Sequence, residues 1–173
     1  MRYRKWLMRS AVVMMALFVS DSSLPALDSK ANRATLRGLN GVGLLVEYLT
    51  PEAEWGGLTK KQLQSDLEVR LQKAGMKVLT QADSRKAPGE PYLYVNVNVN
   101  TAKTEGEVYP YSIDVMLIQK TTLVRDPKQT VYAVTWSTGG VGSISKELLN
   151  DLRESVGDLV EVFIKACQAE NRK

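Results

Sequence analysis

The sequence predicts an α+β domain in the order β-α-β-β-β-β-α, a mixed sheet with two amphipathic helices packed mainly on one face. Three observations lead there. A capped amphipathic stretch at 59–74 lies between two apolar extended stretches. Residues 92–100 alternate strictly between apolar and polar. Residues 144–168 carry the longest run of apolar positions at helical spacing.

The first strand starts near Leu39, where Val42, Leu44, Val46 and Tyr48 interleave with Gly43, Leu45, Glu47 and Leu49. Apolar residues on both parities predict a strand covered on both faces for part of its length. Residues 51–57, with Trp55, read as a loop. The helix at 59–74 opens on Thr59 with Gln62 three places on, the spacing of a capping box. Its stripe is Leu63, Leu67, Leu71 and Ala74, and Gly75 supplies the left-handed stop. A short strand at 76–80 completes a β-α-β unit, and 81–91 reads as a loop punctuated by Pro88, Gly89 and Pro91.

In the third strand Leu93, Val95, Val97 and Val99 face one way, and Tyr92, Tyr94, Asn96, Asn98 and Asn100 the other. A turn at 101–107 leads to a strand over 109–124, whose apolar face is Tyr111, Ile113, Val115 and Leu117. A turn at 125–128 around Pro127 leads to the last strand, 129–137. The closing helix, 144 to about 168, lines up Ile144, Leu148, Leu149, Leu152, Val156, Leu159, Val160, Phe163 and Cys167. Gly157 interrupts it at about 1 kcal/mol relative to Ala, for which close packing against the sheet is the expected reason.

Composition narrows function. The 173 residues are 44% hydrophobic and 24% charged, with no histidine and a single cysteine. Ser-His-Asp and Cys-His catalysis are thereby excluded, as are zinc sites built on histidine or paired cysteines and any disulfide within one chain. No cofactor or metal is expected. Met1 to Arg9 holds four bases and no acid, and 11–19 is an uninterrupted apolar run. That is the layout of a signal peptide, and the run is too short for a stable membrane span. The expected organisation is therefore a signal peptide at 1–26, a flexible leader at 27–38 and a single domain at 39–173. Removing 1–26 takes away four bases and one acid, and lowers the net charge from +4 to about +1. No electrostatic footprint for nucleic acid remains.

Several constellations deserve testing as sites. Glycines at 139, 140 and 142, read as a loop before the last helix with Ser143 and Ser145 as candidate caps, would offer backbone amides to an anion. Ser143 and Lys146 have the Ser-x-x-Lys spacing of penicillin-interacting serine enzymes, one helical turn apart. Gly38 to Gly43 reads as a turn entering the sheet. Glu47 and Asp114 are carboxylates on strands that could face each other. The broadest candidate is a surface: the sheet face opposite the helices presents Tyr92, Tyr94, Asn96, Asn98, Asn100, Ser112 and Asp114, amphipathic rings beside amides that suit contact with a protein, peptide or glycan.

The stretches 42–47, 58–63, 71–78 and 92–100 together resemble the TolB amino-terminal-like α/β module of bacterial envelope proteins, in which a strand leads to a helix ending in Ala-Gly and then to a short strand. The resemblance covers about 60 residues and carries no functional residue with it. It implies a binding or assembly factor rather than an enzyme. The expectation is thus an exported, periplasmic or secreted, non-catalytic module whose partner is another envelope protein or peptide. The alternative is a small-molecule or anion-binding protein, or a weak serine hydrolase, centred on 139–146.

Overall fold

The computed structural model describes residues 27–55, 57–100 and 108–172. The expected signal peptide and the turn at 101–107 lie outside these residues.

Five strands form one sheet: β1 (Gly41–Val46), β2 (Lys77–Leu79), β3 (Tyr92–Val99), β4 (Val108–Leu123) and β5 (Asp126–Ser145), in the spatial order β2-β1-β3-β4-β5. β1 is parallel to both β2 and β3, whereas β3, β4 and β5 form an antiparallel meander. The mixed α+β sheet expected from the sequence is present. So are its two long helices, α3 (Lys60–Lys73) and α5 (Leu152–Asn171); of the shorter helical segments, α1 (Lys30–Ala34) and α2 (Pro51–Trp55) precede α3 and α4 (Gln81–Ser84) follows β2.

The core lies between the long helices and one sheet face. Leu63, Leu67 and Leu71 of α3 and Val156, Val160 and Phe163 of α5 are fully buried against Val42, Leu93, Val95, Ile113, Val115 and Leu117. Thr59 and Gln62 form the reciprocal capping box, and Gly75 takes φ +80°. The two helices are joined by Arg153 to Asp66 at 2.6 Å and Arg70 to Glu154 at 2.6 Å. Gly157 serves this helix–helix contact rather than the sheet: a Cβ there would stand 2.5 Å from the Arg70 guanidinium carbon.

Local chemistry moves several boundaries. Residues 51–55 form a turn of helix because Pro51 suits a first helical position and the Thr50 carbonyl accepts from Ala53 and Glu54. α4 appears within the expected loop because Thr80 caps the Asp83 amide. The turn between β4 and β5 is the pair Val124 and Arg125, so Asp126 to Lys128 already belong to β5.

The leader at 27–38 is not loose. Ser29 caps α1, Leu36 is fully buried, and Asp28 accepts the indole N–H of buried Trp136 at 2.7 Å. Ser137 donates to the Leu27 carbonyl, and Asn171 bonds both Gly38 and Leu36. This segment straps the outer edge of β5 to the end of α5.

The largest correction concerns 138–143. It is strand, not loop: Gly139, Gly140 and Gly142 stand opposite Asp114, Ile113 and Tyr111. The Tyr111 ring lies over Gly142, where a Cβ would meet its hydroxyl at 2.7 Å, and a Cβ on Gly139 would meet the Ile113 carbonyl at 2.6 Å. These glycines permit close cross-strand packing. The helical region then begins with a 3-10 turn, Lys146–Asp151, and becomes α5 only at Leu152.

A bulge at Thr135 shifts the β4–β5 register, so Leu117 faces Trp136 but Ile118 faces Val134. It turns Trp136 into the core against Phe163, with ring centroids 5.3 Å apart. Tyr132 and Val134 go to the opposite face. β3 pairs with β4 only as far as Ile118, so the hairpin at 119–133 continues as a two-stranded ribbon.

Candidate functional site

Strand alternation places the polar parity of β3 on the sheet face away from α3 and α5. The register then assembles rows across that face. Leu45, Tyr94, Met116 and Ser137 make one, Gly43, Tyr92, Ile118 and Val134 the next, and Asn96, Asp114 and Gly139 a third. Asn98 faces Ser112, its side-chain amide 3.5 Å from the hydroxyl, and the backbone N–H of Asn100 donates to the Pro110 carbonyl at 2.8 Å. The tyrosines, asparagines and Asp114 singled out from the sequence thus share one surface. Neither long helix covers it.

The face is more apolar than the alternation of β3 alone implies. Leu45 is 44% exposed, Tyr132 54% and Val141 49%. The parity of β1 could have revealed Leu45, but Tyr132 depends on the bulge at Thr135, which no short-range pattern announces.

At the β1–β2 end the face deepens into a cavity of about 370 Å³, lined by Gly43, Leu45, Leu79, Ser84, Arg85, Glu90, Tyr92 and Tyr132 among others. Gly43 is its floor: a Cβ there would approach the Ser84 hydroxyl and the Tyr92 Cβ at 3.3 Å. Glu90, at φ +44°, is held by Lys120 at 2.7 Å and by the Tyr132 hydroxyl. Those two donors lower its carboxyl pKa, that of Lys120 foremost. A shallower depression at the other end, beside Thr50, Asn98, Asn100 and Ser112, spans about 470 Å³.

Glu47 and Asp114 do not form a facing pair of carboxylates. The Tyr94 hydroxyl donates to Glu47 at 3.0 Å, and Asp114 stands opposite Asn96. The Glu47 carboxyl is held down first by the Tyr48 amide and then by Tyr94. Tyr94 is pushed up by burial and by that same bond, so its proton stays on the phenol at neutral pH. Burial alone raises Asp114. The arrangement presents fixed donors, acceptors and ring edges on one surface.

The glycine-based alternative loses its geometric premise. Gly139, Gly140, Gly142 and Ser143 are strand residues instead of a cradle before a helix, and Ser145 precedes the 3-10 turn without capping it through its side chain. Ser143 and Lys146 do not share a helix, so the adjacency that Ser-x-x-Lys requires is missing. Among the described residues, no group of acids and cysteine is placed to hold a metal ion, and no helix is long and apolar enough to cross a membrane. Comparison of the sequence with known protein families and with curated proteins gives no match.

Proposed function

We propose that this protein is an exported, non-catalytic binding module of the cell envelope that docks another envelope protein or peptide on its helix-free sheet face. The observation that carries the reading is the continuity of that face: Tyr92, Tyr94, Asn96, Asn98 and Asp114 lie side by side and end at an apolar-floored cavity. Aromatic rings flanked by amides and a recess able to take one anchoring side chain are the features of a protein-binding patch. The basic, then apolar leader at 1–19 supports export, and the resemblance to the TolB amino-terminal-like module supports a binding or assembly role in the envelope.

The test is a photo-crosslinking amino acid placed at Asn96 in cells, with Lys61 on the helical layer as the control position. A discrete adduct with an envelope protein from Asn96 alone is the expected result, abolished by Tyr94→Ala in the same chain. Equal adducts from both positions, or none, would overturn the docking reading. Full-length chain confined to the cytosol would overturn the export reading, and labelling of Ser143 by a β-lactam probe would overturn the non-catalytic one.

A further inference from the structure

An edge strand normally carries a device that prevents another strand from pairing with it: shortness, charge, proline, a bulge or a covering segment. In this sheet those devices are distributed unevenly. β2, one edge, has three residues and begins on exposed Lys77. β5, the other edge, starts with Asp126, Pro127 and Lys128, is bulged at Thr135, and is strapped at Ser137 by Leu27. From 138 to 145, among the described residues, none of these devices is present. The eight residues are uncharged, lack proline and pair with β4 without any register break.

The direction of the backbone in this stretch follows from the strap. The Ser137 N–H points away from β4, to Leu27. With a two-residue period and no bulge beyond it, the N–H groups of Gly139, Val141 and Ser143 point outward as well. Among the described residues no strand lies beyond them. Val141 is 49% exposed beside this edge, and nothing lies within 4 Å of where a Gly140 Cβ would be.

We propose that the 138–145 edge of β5 pairs antiparallel with the same edge of a second copy of this chain, joining two five-stranded sheets into one. The occupant follows from symmetry and charge. Pairing about Val141 sets Gly139 opposite Ser143 of the second copy, so each outward N–H meets an outward carbonyl. It also brings the two exposed Val141 side chains together. The stretch has no charge to repel its own image, and none with which to select a charged foreign strand. This association is independent of the partner proposed for the sheet face.

Sedimentation velocity of the purified protein across a concentration series tests the proposal. Wild type is expected to form a concentration-dependent dimer by about 100 μM. Val141→Lys, which puts a guard charge on the edge at an exposed position, is expected to weaken the dimer about tenfold or more with an unchanged far-UV spectrum. Val141→Cys adds a readout that does not depend on loss: a short bifunctional maleimide is expected to link two copies through it, with buried Cys167 unreactive. A monomer throughout the series, a dimer indifferent to Val141→Lys, or no linkage through Val141→Cys would each overturn the proposal. Tyr94→Ala leaves the dimer intact, which separates this association from docking on the sheet face.

Discussion

Removing the Asp28 carboxylate tests whether the leader is part of the fold. Trp136 is fully buried, and its indole N–H has Asp28 as its acceptor at 2.7 Å. Asp28→Ala leaves that donor buried without a partner, at a cost of about 1–3 kcal/mol. The half-exposed ion pair with Arg33 adds at most about 1 kcal/mol. For a domain of this size the sum lowers the melting temperature by about 3–10 °C. Asp28→Asn keeps an oxygen for the indole and loses only the charge, so it should fall between wild type and alanine. The carboxyl is depressed below its ordinary 3.8 first by the Arg33 bond, against some desolvation, and further by Trp136. The stability this gives is complete above that ordinary value and is lost as the pH falls through the depressed one. The gap between wild type and Asp28→Asn should therefore close in acid. Thermal unfolding followed by tryptophan fluorescence at pH 7 and pH 3 reads all three proteins. An alanine variant within 1 °C of wild type, or an asparagine variant as unstable as alanine, would refute the reasoning.

Three further outcomes follow from the packing. Gly157→Ala alone should change stability by less than about 1 kcal/mol, because the helix-propensity gain is offset by displacement of Arg70 from Glu154; in an Arg70→Ala background it should stabilise by about 1 kcal/mol, and a double-mutant cycle in urea measures the difference. Gly142→Ala should destabilise by about 1–3 kcal/mol, since the Tyr111 ring must leave its place, and denaturant unfolding checks it. Cys167 is pushed up to about 12 by burial, so a thiol reagent at pH 8 should label it only after unfolding, and labelling of the native protein at the unfolded rate would contradict its place in the core.

What could be read from the sequence was whatever short-range patterns control. α3 was legible because Thr59, Gln62, Leu63, Leu67, Leu71 and Gly75 specify cap, stripe and stop within one element. β3 was legible because its alternation survives in the burial of Leu93, Val95, Val97 and Val99. Thr80 and Asp83 have the same cap spacing in α4, but Pro88, Gly89 and Pro91 close behind give the stretch the composition of a loop. The character of 138–143 was illegible for a different reason. Glycines in series look like a flexible connection, and what makes them strand is Tyr111 and the backbone of β4, some 30 residues away. The open face was legible in its β3 row. Its extension to Tyr132 depended on the bulge, and the cavity on Gly43 meeting α4.

The β4–β5 ribbon has a mechanical meaning for the face it borders. Two strands twist and bend more readily than five, and the ribbon is moored near its root by the Lys120 amide to Gly89 and by Lys120 and Tyr132 to Glu90. Tyr132 and Glu90 are also walls of the cavity, across from Tyr92. Displacing the root of the ribbon would therefore change the width of the cavity mouth. A guest seated between Tyr92 and Tyr132 would stiffen an arm that ends in fully exposed Val124, far from the guest itself.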